Sequence, residues 1–243
     1  MFNPSQFHET VQRINTKVPD VQHKASQIDI ASVKLANEWF IPEPVARLII
    51  WLKDELIKLV EELMNMMTQV MEGIEAPITM WEDAYKWETV RGIATSVAAD
   101  VNPSSLGSTG QWTGDAATAY TNAIGPQSTA AAQLATIADS TASSLRSCAE
   151  AGLAFYIAVA LVVAQFIAAE ITAAAGDASV VAAPAGLAAG LAAAATAVGV
   201  FVGLVAAIGT LIGTEASQVS TLHGLAVDST AFPSGRWPVA TNI

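Results

Sequence analysis

The sequence predicts an all-α protein: an elongated helical bundle with a Trp-x-Gly helix-turn-helix hairpin and a C-terminal hairpin of two apolar helices. Apolar residues make up 52% of the chain and charged residues only 14%, against roughly 25% charged residues in an ordinary soluble domain. Alanine dominates the apolar content while aromatic residues stay at 7%, which favours closely approaching helices. Alternating β-branched runs between Asn-Gly or Asp-Gly turns are not found, so strands are not expected.

The distribution of charge excludes several classes of partner. The formal net charge is −11, and after Arg91 the only lysine or arginine residues are Arg146 and Arg236. Nucleic-acid binding is therefore disfavoured, because phosphate contacts need clustered basic side chains. The N-terminal residues contain no basic region followed by an apolar stretch, so no Sec-type signal peptide is expected. The single cysteine, Cys148, excludes an intramolecular disulfide.

The N-terminal range, 1–77, is predicted to contain two helices. Asn3 fits the cap of the first helix, with Pro4 at the first helical position. This helix is expected to reach about Glu38 and to be kinked or restarted at Pro19, because proline removes a backbone hydrogen bond inside a helix.

The second predicted helix runs from Val45 to about Glu72 and begins after a break at Pro42 and Pro44. Its apolar residues recur at three- and four-residue spacing. They form one face: Leu48, Leu52, Leu56, Leu59, Leu63, Met66, Met67 and Val70. The methionines of this face either fill a core or line an adaptable binding groove.

The range 78–150 is predicted to form a helical hairpin around a loop at 102–110, which is rich in turn-forming residues. The capping box Thr79-Met80-Trp81-Glu82 opens its first helix. The second helix runs from about Thr113 to Glu150 and is kinked or broken at Gly125-Pro126.

Two long apolar segments follow in the range 151–214, which is predicted to form a membrane-competent helical hairpin. Residues 151–169 carry no charge, and as a helix these residues extend roughly 28 Å, close to the thickness of a hydrocarbon core. An acidic connector that contains Glu170 and Asp177 precedes a second charge-free run, 178–214.

The second apolar run contains three pairs of the form Gly-x-x-x-Gly in a helix expected from Pro184 to about Gly213. The pairs are Gly186 and Gly190, Gly199 and Gly203, and Gly209 and Gly213. The last four glycines lie within an arc of ~120° and form a face for close helix approach, while the first pair points to the opposite side. The remaining range, 215–243, is predicted to be an irregular tail anchored by Phe232 and Trp237.

The residues predict no catalytic, metal or cofactor site. The three histidines, His8, His23 and His223, have no His or Cys neighbour at metal-ligand spacing. Signatures of phosphate-binding loops, dinucleotide sites and nucleophile elbows are absent from the sequence. The carboxylates of the amphipathic helices are interpreted as solvated faces. A non-enzymatic protein without a cofactor is therefore expected.

The segment from Gln111 to Tyr120 contains Trp112-Thr113-Gly114 between two predicted helices. At such a turn a tryptophan can cap packed helix ends, and a glycine permits a tight reversal. The segment resembles the WXG family of type VII (ESX) secretion substrates over about residues 79–150, and longer actinobacterial members that add Ala/Gly-rich apolar helices are also similar. The resemblance implies that Trp112 and Gly114 occupy the motif positions and that the protein leaves the cell as a folded helical dimer.

The sequence departs from the family pattern at two points. Other helices precede the hairpin, whereas the family places its motif nearer the N-terminus. The family's export signal, Tyr-x-x-x-Asp/Glu, is absent: the residues four places after Tyr85, Tyr120 and Tyr156 are Thr89, Ile124 and Ala160. Either a partner carries that signal or recognition differs.

Two functions follow as expectations. In the first, the protein is a secreted or cell-surface WXG-like protein that forms homo-oligomers or pairs with a helical WXG-like partner. It is carried by the type VII machinery, and its residues 151–213 enter or span a lipid bilayer. In one version of this hypothesis the inserted residues form a pore. In the second, it is a soluble structural or partner-binding assembly that keeps those helices buried in an oligomer.

Overall fold

Five α-helices account for most of the residues that the structure describes, and the prediction of an all-α helical bundle is confirmed. A computed structural model describes residues 1–176 and 182–239 and is 87% helical, with no strand among these residues. The helices are α1 (Pro4–Ala36), α2 (Glu43–Glu72), α3 (Ala76–Asp100), α4 (Asp115–Gly176) and α5 (Ala183–Ala226). Short 3-10 turns occupy Pro103–Ser105, Gly107–Gly110 and Pro233–Gly235.

Helix α1 begins as its sequence predicts. The Asn3 side chain accepts hydrogen bonds from the backbone N–H groups of Ser5 and Gln6, at 3.0 and 3.2 Å, which satisfies two of the free donors at the helix start. Pro19 lies inside the helix, so the expected restart there is wrong. Buried residues on both sides of the proline, including Ile14 and Val21 at 0% exposure, hold the helix continuous.

Helix α2 begins at Glu43 after Pro42, as predicted, but its buried face is rotated from the expected one. The buried residues are Ile49, Leu52, Leu56, Val60, Leu63 and Met67. At 100° per residue, Leu48, Leu59 and Met66 share one angular position at the edge of this face, and Leu48 is 45% exposed. The two unpredicted core positions, Ile49 and Val60, complete the 3.6-residue period.

Helices α3 and α4 differ from their predicted boundaries. Helix α3 begins at Ala76, so the expected capping box at Thr79 lies inside the helix, because Pro77 is accommodated in the first turn. Helix α4 continues through Pro126, so the expected break at Gly125-Pro126 is wrong. Ile124 and Ala130 on either side are buried, and this packing outweighs the hydrogen bond that proline removes.

Helix α5 is longer than predicted. Pro184 lies in its first turn, as expected, but the helix passes Gly213 and Glu215 and ends at Ala226. The acidic connector is also shorter than expected, because Glu170 lies within α4. Asp177 and residues 178–181 lie outside the described residues.

Contacts between residues divide the chain into two compact units, each made of two segments. The first unit contains residues 1–76 and 151–209, and the second contains residues 77–150 and 210–243. Helices α4 and α5 therefore contribute one segment to each unit. The four consecutive ranges expected from the sequence stay a prediction.

An ion pair joins α1 to α2 in the first unit. Lys53 Nζ lies 2.8 Å from Asp29 Oδ1 of α1 and 2.7 Å from Asp54 Oδ1, and its side chain is only 12% exposed. Hydrogen bonds to Asp29 and Asp54 raise the pKa of Lys53 above its ordinary value of 10.5. Lys53 therefore stays charged and paired at neutral pH.

Replacement of Lys53 by methionine should lower the free energy of unfolding by about 1 kcal/mol, because the ion pair between helices is lost. Urea unfolding at neutral pH measures this difference. The matched control is Lys58→Met, whose exposed side chain pairs only with Glu55 one turn away, and no measurable change is expected there. Because the pKa of Lys53 is raised, its contribution is fully present below pH 10.5 and is lost as the pH rises through the higher value. An equal stability of both variants would contradict this role.

Candidate functional site

The first candidate site is the apolar surface formed by α4 and α5 in the first unit. A cavity of about 190 Å³ lies between Val162 and Phe166 of α4 and Ala193, Ala197 and Val200 of α5. Residues of both apolar helices therefore line one cavity in the first unit. Their arrangement as a hairpin stays a prediction.

One face of α5 is buried and the opposite face is open. The buried residues recur every three or four positions: Ala183, Leu187, Gly190, Ala194, Ala197 and Phe201. On other sides of the helix, Val200 and Val202 are 47% and 52% exposed, and Val205, which continues the buried face beyond Phe201, is 44% exposed. Both α4 and α5 are long and apolar enough to cross a membrane, but only 17% of the most apolar stretch of α5 is buried, against 50% for α4.

The glycines of α5 separate into the two groups that the sequence predicts. Gly190 is buried, whereas a Cβ atom built on any of the last four glycines would meet no described atom within 4 Å. These four are Gly199, Gly203, Gly209 and Gly213. At 100° per residue Gly199, Gly203 and Gly213 lie away from the buried face, and Gly209 lies near its border. Gly186, the remaining member, is half-buried.

The methionines of α2 divide between the two roles that the sequence left open. Met67 is 2% exposed and belongs to the core. Met66 lines an open apolar groove of about 560 Å³ between α2 and α5, with Phe201, Val202 and Val205 on the other side. One methionine therefore fills the core, and its neighbour borders a groove.

A polar contact that the sequence analysis missed fixes α4 against α2. The Tyr156 hydroxyl donates a hydrogen bond of 2.8 Å to the backbone carbonyl of Val70, near the end of α2, where carbonyl groups lack helical partners. The Tyr156 ring also meets Phe7 of α1 edge to face, at 5.4 Å between centroids. The sequence offered one signal for this contact. Tyr156 is the single tyrosine in the charge-free run 151–169, and a buried hydroxyl needs a hydrogen-bond partner.

The second candidate site is the Trp-x-Gly turn between α3 and α4. Ser128 Oγ donates to the Ala98 carbonyl at 2.7 Å. Two ion pairs, Arg91 with Asp139 and Arg146 with Glu88, follow in the order of an antiparallel pair. The helical hairpin is thus present in the second unit, and residues 112–114 lie in its connection.

Gly114 and Trp112 play different parts in this connection. Gly114 has a φ of +102°, a conformation that disfavours any side chain. Its carbonyl accepts hydrogen bonds from the backbone N–H and hydroxyl of Thr118, at 3.1 and 3.2 Å, which begins α4. Trp112 lies 5.7 Å from the Tyr120 ring and remains 44% exposed, so it covers the first turns of α4 without entering a core.

The C-terminal tail packs on α4 through one of its two expected anchors. Phe232 is 9% exposed and forms a buried cluster with Ala130 and Ala231. Gln127 Nε2 donates a hydrogen bond of 2.9 Å to the Pro238 carbonyl. Trp237 is 41% exposed, so it is not an anchor. The backbone of Pro238 supplies the second contact instead.

The three histidines do not belong to a metal-binding cluster among the described residues. Among these residues, groups of three or more His, Cys, Asp or Glu that could hold a metal are not found. The Asp and Glu side chains near the turns and faces discussed above are engaged in ion pairs or exposed.

Replacement of Gly114 by alanine should destabilise the start of α4 by about 1 kcal/mol, because the left-handed backbone conformation becomes strained. Gly107→Ala in the same loop is the matched control, since its Cβ would meet open space and its φ lies outside the left-handed region. Thermal unfolding followed by circular dichroism compares the two. A loss of stability that is equal in both variants would contradict the role of Gly114.

Comparison of the chain with protein-family models, with curated proteins and with solved structures finds no match.

Proposed function

We propose that this chain is a secreted WXG-like protein of a type VII (ESX) secretion system whose apolar helices enter a target membrane. The observation that carries the proposal is the exposure of α5: a helix of mean hydropathy 2.4 over its most apolar stretch with only 17% of that stretch buried. A core helix of a soluble protein buries such a surface. The open face of α5 therefore requires an apolar environment outside the single chain.

The dimensions of α5 fit a bilayer. Its charge-free part from Ala183 to Thr214 has 32 residues, which extend about 48 Å in a helix and exceed a hydrocarbon core of about 30 Å. Helices satisfy their own backbone hydrogen bonds, so an apolar environment imposes no backbone penalty. The excess length is accommodated by tilt.

The carboxylates between the apolar segments oppose spontaneous insertion. If α4 and α5 enter together, Glu170 and Asp177 must cross the bilayer, at roughly 2 to 3 kcal/mol for each ionised carboxylate. Acidic pH lowers this barrier because it protonates carboxylates. The proposal therefore includes a soluble oligomeric state that converts at a target membrane or at low pH.

The secretion part of the proposal rests on the resemblance and on the place of the motif. Trp112 and Gly114 lie in the connection of an antiparallel helical pair, and Gly114 adopts a backbone conformation that favours glycine. Trp112 keeps 44% of its surface exposed, so it is accessible to secretion machinery or to a helical WXG-like partner. Both facts support the motif assignment.

A second candidate function is a soluble helical assembly without membrane entry. The open glycine positions favour it, because a flat face built from Gly199, Gly203, Gly209 and Gly213 allows a helix of another copy to approach closely. In such an oligomer the exposed valines of α5 become buried between copies. The protein is non-enzymatic in both proposals.

Replacement of Val202 by lysine should suppress membrane entry, because a lysine at the centre of a spanning helix costs roughly 2.5 to 3.5 kcal/mol, or about a hundredfold in the insertion equilibrium. Release of a trapped dye from phosphatidylcholine vesicles at about pH 7 and about pH 5 measures entry. Val219→Lys is the matched control: Val219 is 64% exposed on the same helix but lies beyond Glu215, and it should leave dye release unchanged.

Two outcomes separate the candidate functions. Dye release that is greater at low pH and is lost only in Val202→Lys supports membrane entry. If the unaltered protein releases no dye at either pH and native mass measurement gives the same oligomer with and without detergent, the soluble assembly replaces the membrane proposal.

Replacement of Trp112 by alanine should lower export or pairing with a helical partner without loss of helicity, because the side chain is largely outside the core. Export is measured as the secreted fraction from a host with a type VII system. The control is Trp87→Ala, which removes a tryptophan of α3 that is 37% exposed. Normal export of the Trp112→Ala variant would contradict the assignment of Trp112 to the secretion motif.

A further inference from the structure

Exposed aromatic and aliphatic side chains occur in the turn between α1 and α2 and in the adjoining parts of both helices. We call this set the aromatic tip, and it consists of Trp39, Phe40, Leu48 and Trp51, together with Ile30 and Val33. Trp39 is 91% exposed, and Phe40, Leu48 and Trp51 are 51%, 45% and 56% exposed. Such a concentration of exposed apolar side chains marks an interaction surface.

The backbone of this turn is held in place by its own hydrogen bonds. The Asn37 side chain donates to the Val33 carbonyl at 2.9 Å, and the Ile41 N–H donates to the Glu38 carbonyl at 3.0 Å. Pro42 then caps α2 in an extended conformation. The exposed aromatic rings are thus presented by a defined turn.

The two rings at the end of the turn pack on each other and still face outward. Trp39 and Phe40 meet edge to face, with 5.8 Å between their centroids. They belong to the short connection between two helices, and they are 91% and 51% exposed. An exposed pair of rings suits insertion into a deformable layer, whereas a helix of another protein docks into a groove.

The charge of the aromatic tip differs from that of the rest of the chain. Between Ile30 and Trp51, two basic residues, Lys34 and Arg47, balance two acidic residues, Glu38 and Glu43. The net charge of −11 therefore resides entirely outside this segment. The tip is a part of an acidic protein that can approach a bilayer surface without net repulsion, and the exposed Lys34 can meet lipid phosphates, whereas Arg47 is paired with Glu43.

We propose that the aromatic tip is a docking site for the surface of a lipid bilayer, into which Trp39, Phe40 and Trp51 insert at the level of the lipid headgroups. Indole rings favour this region because one side of the ring is apolar and the N–H finds a polar partner. The docking site lies outside α4 and α5. It goes beyond the proposed membrane entry, because the tip holds the folded protein on a bilayer whether or not the apolar helices insert.

The test is flotation of the full chain with phosphatidylcholine vesicles at neutral pH. Replacement of Trp39 and Trp51 by serine should lower the vesicle-bound fraction by roughly tenfold or more, because the main inserted surface is removed. The matched control is Trp87→Ser on α3, which should bind like the unaltered protein. Since Trp39 is 91% exposed, the single variant Trp39→Ser cannot disturb a core and provides a second measurement.

A second readout locates the tryptophans. Lipids with brominated acyl chains should quench tryptophan fluorescence of the unaltered protein and of Trp87→Ser, and quench the tip variant much less. Protein that binds vesicles and shows quenching dependent on the aromatic tip supports the docking site. If the same protein releases no dye, only the proposed entry of α4 and α5 fails. Absence of flotation, or equal flotation of the tip variant and the control, overturns the docking site. A change in native mass of the tip variant in lipid-free buffer also overturns it, because the tip then joins two copies.

Discussion

The packing of small residues along one face of α5 is the constraint on which the first unit depends. Ala183, Gly190, Ala194 and Ala197 are buried at helical spacing, and their short side chains allow the backbone of α5 to lie close to its neighbours. Phe201 and Leu187, the larger side chains of this face, are at 0% exposure and fill the space that remains between the helices. Because only one face of the helix is used in this way, the opposite face remains free for a second environment.

Tyr156 extends this packing to the N-terminal helices. Its hydroxyl group bonds to the Val70 carbonyl, and its ring contacts Phe7, which in turn lies 5.8 Å from Phe2. A single side chain of α4 therefore touches both α1 and α2. This arrangement packs the other ends of those two helices, whereas Trp39 and Phe40, in the turn at residues 37–42, contact each other and remain exposed.

The sequence predicted the helix type, most helix starts and the two apolar segments, because these depend on local patterns. The Asn3 cap, the start of α2 after Pro42 and the start of α5 at Pro184 follow directly from capping and proline rules. Pro19 and Pro126 were expected to kink or interrupt their helices; both helices continue through the proline, because tertiary burial on both sides outweighs one missing hydrogen bond, and a kink stays a prediction. The buried face of α2 was misplaced because the periodic pattern contains more apolar residues than one face can bury. For the candidate site, the glycine grouping was predictable from angular positions, but the hydroxyl contact of Tyr156 and the exposure of Trp39 depend on packing between distant segments.

Polarity and secondary structure change at different places in this chain, and this separation decides how the apolar segments can function. Helix α4 runs from Asp115 to Gly176 without interruption, although its charged residues end at Glu150 and resume only at Glu170. Helix α5 likewise continues eleven residues beyond Glu215. The limits of the α4 segment and the C-terminal limit of the α5 segment are therefore set by charge, whereas the α5 segment begins with its helix at Ala183. A change of environment can then move the boundary between water and lipid along a preformed helix, because no backbone hydrogen bond must break for the apolar part to enter a bilayer. If the apolar segments enter a bilayer as proposed, the energetic barrier lies in the carboxylates at the segment ends and in the packing that α5 must give up along its buried face.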